Sequence, residues 1–239
     1  KMPRYQWPVL GIEAQGSCLG SALPFCRSSI ECRSGERTKA IWPSRGGRLI
    51  VTAPGAIVNG TLMPGRGWAV YDNATLTIAG GAIVHNAADL TLSGANGRFD
   101  QANTLASNSG ALTIAAGRAF DAPGTAPFAN SGVLTVAGDS VFRSAAGLAN
   151  SGYTDVQRRG LLRSGTQGIL GAGTLNRDGA MILDYATASP ASAIRAELVA
   201  AYSGGLWNGP SRFQSAAAAI TGRTIGYAEA SQLGFSTFL

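Results

Sequence analysis

The sequence predicts an all-β fold: a parallel β-solenoid closed at its C-terminal end by a small α-containing cap. The first observation is a repeat. Asn86-Ala87-Ala88-Asp89-Leu90-Thr91-Leu92, Asn108-Ser109-Gly110-Ala111-Leu112-Thr113-Ile114 and Asn130-Ser131-Gly132-Val133-Leu134-Thr135-Val136 align without gaps, and both steps are 22 residues. The second is the pattern inside each unit. Apolar, threonine, apolar is the period-two signature of a strand with one buried face. The third is composition, with 33 glycines in 239 residues and only 13% charged side chains. Units of this length cannot bury an apolar face alone, so they stack and share one core.

Residues 1–48 stand apart as a basic, cysteine-bearing lead-in without the repeat. They hold eight of the 19 cations, both lysines among them, but only three of the 13 acids. The net charge of +6 and pI near 9.7 therefore belong to this stretch and not to the body. A nucleic-acid groove needs a basic face with interleaved aromatics along the folded surface, and the body offers neither, which excludes that class of partner. Cys18, Cys26 and Cys32 follow a C-x7-C-x5-C spacing, unlike a zinc knuckle or a redox C-x-x-C. One disulfide with a leftover thiol and three free thiols are both allowed. Gly16-Ser17-Cys18-Leu19-Gly20 imitates a nucleophile elbow, but no buried strand precedes it. Neither a signal-peptide h-region nor a run of ~18 apolar residues is visible.

The repeats are expected over 49–184, as about six coils. Ala74-Thr75-Leu76-Thr77-Ile78 precedes the three matched units; Asn150-Ser151-Gly152 and Asn176-Arg177-Asp178-Gly179-Ala180-Met181-Ile182-Leu183 follow them as looser copies. Each matched unit runs on to a phenylalanine: Phe99, Phe120 and Phe142. Asparagines 86, 108 and 130 are expected to stack, each side-chain amide bonding its copy in the next coil. Residues 185–239 form the cap. Ser189-Pro190 reads as a helix start, and the following segment to Tyr202 buries Ile194, Leu198 and Ala201 before Gly204-Gly205 ends it. A second helix is expected over 214–220.

The Asn-Ser-Gly-x-Leu-Thr-Val units resemble the glycine-rich repeats of autotransporter-like bacterial surface proteins. That resemblance implies a right-handed parallel β-helix and an extracellular or cell-surface location. Three later segments resemble the module that precedes a dockerin in large secreted bacterial proteins. They are Ala193-Ile194-Arg195-Ala196-Glu197-Leu198-Val199, Tyr202-Ser203-Gly204-Gly205-Leu206-Trp207-Asn208-Gly209-Pro210 and Ile225-Gly226-Tyr227-Ala228-Glu229-Ala230. No D-x-[DN]-x-[DN]-G calcium loop accompanies them. The resemblance implies a piece of a longer extracellular protein.

The catalytic candidates come from the repeat. Phe99-Asp100, Phe120-Asp121 and Phe142-Arg143 take matching places if one inserted residue is allowed in the first. Asp100 and Asp121 would then sit one coil, roughly 5 Å, apart, with Arg143 one coil further. Such a pair suits a retaining glycosidase, or, with calcium and an arginine, a polysaccharide lyase; no other cofactor is implied. The structural alternative is a solvated turn with the carboxylates paired to Arg98, Arg118 or Arg143. His85, the single histidine, could serve a serine nucleophile only with Asp72 or Asp89 to orient it, and no G-x-S-x-G nominates the serine. Trp207 is either a sugar-stacking platform or the aromatic that closes the core. The expected function is a structural or adhesive segment of a larger secreted or cell-surface protein, partnered with polysaccharide or cell-surface components. A polysaccharide-acting hydrolase or lyase, and a non-catalytic carbohydrate-binding module, are the alternatives.

Overall fold

A computed structural model describes residues 12–15, 47–51, 55–65, 67–165, 173–211 and 213–234. The three cysteines and the elbow-like segment around Cys18 lie outside them. The chain winds into a parallel β-solenoid of about five turns with a helical C-terminal part. Each full coil contributes a strand to a long sheet, a short strand to a second sheet and, in the upper coils, a strand to a third.

The long sheet has seven strands. From bottom to top they are Gly67–Val70, Asp89–Ser93, Ala111–Ala115, Val133–Val136, Tyr153–Val156, Thr174–Arg177 and Phe213–Gln214. All its pairings are parallel. Register follows the repeat: Leu90 pairs with Leu112 and Leu112 with Leu134, while Thr91, Thr113 and Thr135 line up on the outer face. The inward row is fully buried. Thr154 replaces leucine in this row at 0% exposure. A buried hydroxyl needs partners, and Thr154 finds them by donating to Asn150 Oδ1 and accepting from Asn130 Nδ2.

The second sheet carries the asparagines on His85–Asn86, Ser107–Asn108, Phe128–Asn130 and Leu148–Asn150, with Thr61–Leu62 pairing below them so that Leu62 lies under Asn86. Their stacking is as expected, and Asn150 extends it. Asn86 Nδ2 donates to Asn108 Oδ1 at 2.8 Å, Asn108 to Asn130 at 2.8 Å, and Asn130 to Asn150 at 2.9 Å. All four are buried, so the ladder supplies the bonds that burial requires. The residue two places after Asn108, Asn130 and Asn150 is constrained by the coil below. A Cβ on Gly132 would meet the Gly110 carbonyl oxygen at 2.1 Å, and one on Gly152 would meet that of Gly132 at 2.2 Å. Contact between coils, and not turn geometry, requires glycine there.

The third sheet holds Ala119–Asp121, Val141–Ser144, Leu161–Gly165 and Ala180–Asp184. Phe120 stacks on Phe142 with centroids 5.6 Å apart, and Phe128 meets Phe142 edge-on at 5.1 Å. Below it the wall is made by Ala74–Ile78, paired in parallel with Gly47–Val51, which in turn pairs antiparallel with Ile12–Gln15. A short strand from inside the basic lead-in thus joins the solenoid wall. Between these two parts of the wall, the coil after Arg98 turns through a 3-10 helix, Asp100–Thr104. Gln101 ties that turn to the coil beneath, donating to the Ile78 and Gly81 carbonyls at 2.9 Å and accepting from the Ile78 N–H. The step is also not constant: Asn130 pairs with Asn150, and Phe142 with Leu162, so a coil of 20 residues follows those of 22.

The cap covers the top. Helix α1, Ala191–Tyr202, buries Ile194, Leu198 and Ala201 as its spacing predicts. Ser189 Oγ accepts from Ala191 N–H at its start. The second helix, α2, is Ala216–Thr221; Ser215 Oγ accepts from Ala218 N–H and Gly222, at φ 65°, ends it. Residues 213–214, one of them expected to be helical, instead add the last strand of the long sheet. The cap's Ile194, Leu198, Trp207 and Phe213 belong to the same buried core as the coils. No helix among the described residues is long and apolar enough to cross a membrane.

Candidate functional site

The third sheet carries most of the charge chemistry of the coils. Asp121 and Arg143 are direct neighbours in its register. Their side chains form an ion pair, Arg143 Nη1 to Asp121 Oδ1 at 3.2 Å, with side-chain exposures of 44% and 69%. The row continues to Arg163. Arg163 binds the Asp184 carboxylate with two nitrogens, at 2.7 and 3.3 Å. That hydrogen bond, and then the Asp184 charge, holds the Arg163 guanidinium even more firmly protonated. At a neighbouring corner Arg159 grips Asp139 in the same two-pronged way.

Asp100 stands elsewhere. It opens the 3-10 turn, and no strand register joins Phe99-Asp100 to Phe120-Asp121. Phe99 is nevertheless buried like its counterparts. The extra residue in this coil is absorbed by the turn, which moves Asp100 out of the ladder. The cation that feels it is Arg118: burial lowers the Arg118 pKa and the Asp100 charge opposes that shift. Arg118 also donates to the Gly97 carbonyl. Of the predicted trio, the structure joins Asp121 to Arg143 and leaves Asp100 in the 3-10 turn, outside their row. A calcium ion at Asp121 would meet one carboxylate already taken by an arginine. No group of three or more His, Cys, Asp or Glu side chains that could hold a metal occurs among the described residues.

His85 is bracketed by serines of the next coil. Nδ1 lies 2.8 Å from Ser107 Oγ, and Nε2 lies 2.8 Å from Ser109 Oγ. A neutral imidazole donates from one nitrogen and accepts at the other, and the two hydroxyls satisfy both. Neither Asp72 nor Asp89 orients it; Asp72 Oδ1 accepts from the Asn96 N–H instead. The 22-residue step places Ser107 directly over His85, so these serines were within reach of the repeat arithmetic.

Trp207 lies inside the cap at 5% exposure. Its Nε1 donates to the Arg223 carbonyl at 3.1 Å, and its ring meets Tyr202 edge-on at 5.5 Å. It closes the core, and its faces are packed by protein.

The larger of two concavities lies where the third sheet meets the cap. A cleft of about 940 Å³ runs along Ala180–Asp184, walled on the other side by 226–230, Leu233 and the start of α1. Tyr185 and Tyr227 line it and are 42% and 48% exposed. Tyr185 Oη donates to Glu229 Oε2 at 2.6 Å, and Ser189 Oγ donates to Glu229 Oε1. The Ser189 bond and then the Tyr185 bond hold the Glu229 carboxyl below its usual range, and the same contact pushes the Tyr185 phenol up. A smaller hollow of about 610 Å³ beside α2 is flanked by Arg158 and Arg223. Its Asp178 is occupied in accepting from Ser215 Oγ and Ala217 N–H. Sequence reasoning missed the large cleft because the residues that meet across it, Tyr185 and Glu229, are 44 apart and follow no repeat. No family model, no curated protein and no solved structure matches the chain.

Proposed function

We propose that the chain is a structural or adhesive β-solenoid segment of a larger secreted or cell-surface bacterial protein, acting without turnover. The observation that carries this reading is the pairing of outward charges between coils. Asp121 with Arg143, Asp139 with Arg159 and Asp184 with Arg163 each neutralise one another across neighbouring strands or corners. A general acid–base pair needs two carboxylates whose environments push their pKa values apart; Asp121 has an arginine beside it and no second carboxylate in its register. A ladder of paired charges over a continuous core suits a rod that spaces and displays what it is joined to.

The test is an activity screen of the whole chain on neutral and acidic polysaccharides, following reducing ends and unsaturated products. The expected result is no product from any of them. Product formation that disappears in Asp121→Ala would overturn the reading in favour of a polysaccharide-acting hydrolase or lyase. Product formation that survives that substitution would overturn it in favour of an enzyme working elsewhere on the surface.

A further inference from the structure

The large cleft combines three properties that the coil faces do not combine: a concave surface between two walls, exposed aromatic rings, and carboxylates already engaged with hydroxyl or guanidinium donors. We propose that it binds a neutral polysaccharide chain, with Tyr185 and Tyr227 as stacking faces and Glu229 and Asp184 as acceptors for sugar hydroxyls. This rests on the adhesive reading above and names its ligand class.

The chemistry of a pyranose is an apolar ring face with a rim of hydroxyls. Tyrosine offers the matching apolar body with a polar tip. Tyr185 is fixed by its bond to Glu229, so its ring loses little freedom on binding. Glu229 already receives one hydroxyl on each oxygen, and beyond these and the Gln232 N–H of its own turn the carboxylate keeps lone-pair capacity to offer. Asp184 is in the same state, with one Arg163 nitrogen on each oxygen. The volume, about 940 Å³, leaves room for a short stretch of chain lying along the open groove. Charge decides between glycans. Arg163 balances Asp184, whereas the Glu229 carboxylate accepts from two neutral hydroxyls and the Gln232 N–H and meets no cation among the described residues, so the cleft favours a neutral chain over an acidic one. A peptide strand could also pair with Ala180–Asp184, which is the last strand of its sheet. That mode would use backbone groups of one wall and leave the tyrosine and the carboxylate on the opposite wall, Tyr227 and Glu229, without a role.

The test is affinity electrophoresis and calorimetry of the whole chain against xylan, mixed-linkage glucan, galactomannan and polygalacturonate. At least one neutral polysaccharide should retard the protein, and polygalacturonate should not. Tyr185→Ala and Tyr227→Ala should each weaken binding about tenfold, the equivalent of one lost stacking contact, while Tyr227→Phe keeps it. Tyr153→Ala removes an exposed tyrosine of the long sheet and should leave binding unchanged; thermal unfolding checks that each variant is folded. Absence of binding to every neutral polysaccharide overturns the proposal. So does binding that survives the double tyrosine variant, or retention on cell-wall material that protease treatment of that material abolishes, which assigns the cleft to a peptide. Loss of binding without turnover removes the glycan site and leaves the rod; turnover with binding intact removes the rod and leaves the site.

Discussion

Asn108→Ala removes the middle of the asparagine ladder. Its side chain accepts from Asn86 at 2.8 Å, donates to Asn130 at 2.8 Å, and donates to the Val133 and Gly110 carbonyls at 3.1 and 3.2 Å. Two inter-coil amide bonds are lost at about 1 kcal/mol each. Asn130 Oδ1 is left without its donor at a residue 1% exposed, which adds about 1–3 kcal/mol for an orphaned buried acceptor. The expected destabilisation is roughly 3–5 kcal/mol. Asn150→Ala at the upper end should cost a comparable amount: Asn130 Nδ2 keeps its bonds to Tyr153 O at 3.1 Å and Thr154 Oγ1 at 3.3 Å, but the buried Thr154 hydroxyl loses its acceptor Asn150 Oδ1. The double variant Asn108→Ala/Asn130→Ala should cost less than the sum of its parts by about 1–2 kcal/mol, since the second change removes the group that the first had orphaned. Urea unfolding of the whole chain, followed by far-ultraviolet circular dichroism and tryptophan fluorescence together, measures all three; coincident curves test whether the coils melt as one unit. An Asn108→Ala variant within about 1 kcal/mol of the parent at unchanged m-value, or strict additivity in the double variant, refutes the ladder as a source of stability.

Three further outcomes are expected. Gly132→Ala drives a Cβ into the Gly110 carbonyl at 2.1 Å and should destabilise by more than about 2 kcal/mol; near-neutral behaviour in the same urea assay would sink the inter-coil contact. Ala116 is exposed and held at φ 53°, so Ala116→Gly should stabilise by roughly 0.5–1 kcal/mol, and a loss of stability would contradict the strain assigned there. Glu229 has its folded pKa lowered by the Ser189 and Tyr185 hydroxyls. Its contribution is therefore full above the ordinary glutamate value of about 4.3 and is lost as pH falls through the lower folded value. Carbon-13 titration of the Glu229 carboxyl should give a midpoint below free glutamate, and one at or above it rules out the hydroxyl clasp.

Sequence periodicity revealed the parts of the fold that repeat. The 22-residue step placed Asn86, Asn108 and Asn130 in one row and Leu90, Leu112 and Leu134 in another, because parallel stacking turns sequence distance directly into position. It also placed Asp121 beside Arg143. It failed at Asp100, where one additional residue is taken up by a 3-10 turn held by Gln101, a side-chain effect that carries no period. It overlooked residues 12–15, whose pairing with 47–51 is antiparallel and outside the repeat. The helix α1 was legible from one buried face, but the cleft beside it was not. Tyr185 and Glu229 meet across 44 residues of chain through loops and a cap, and nothing local marks either of them as a partner.

The asparagine row has a direction. In every rung the amide nitrogen of the earlier coil points at the oxygen of the later one, so the small side-chain dipoles add instead of cancelling, and each bond polarises the next. The row begins at Asn86, whose oxygen is held by the Ala88 N–H, and ends at Asn150, whose nitrogen reaches the Thr174 carbonyl. The rod therefore carries an electrical sense along its axis, independent of its surface charges. Its two ends are chemically distinct.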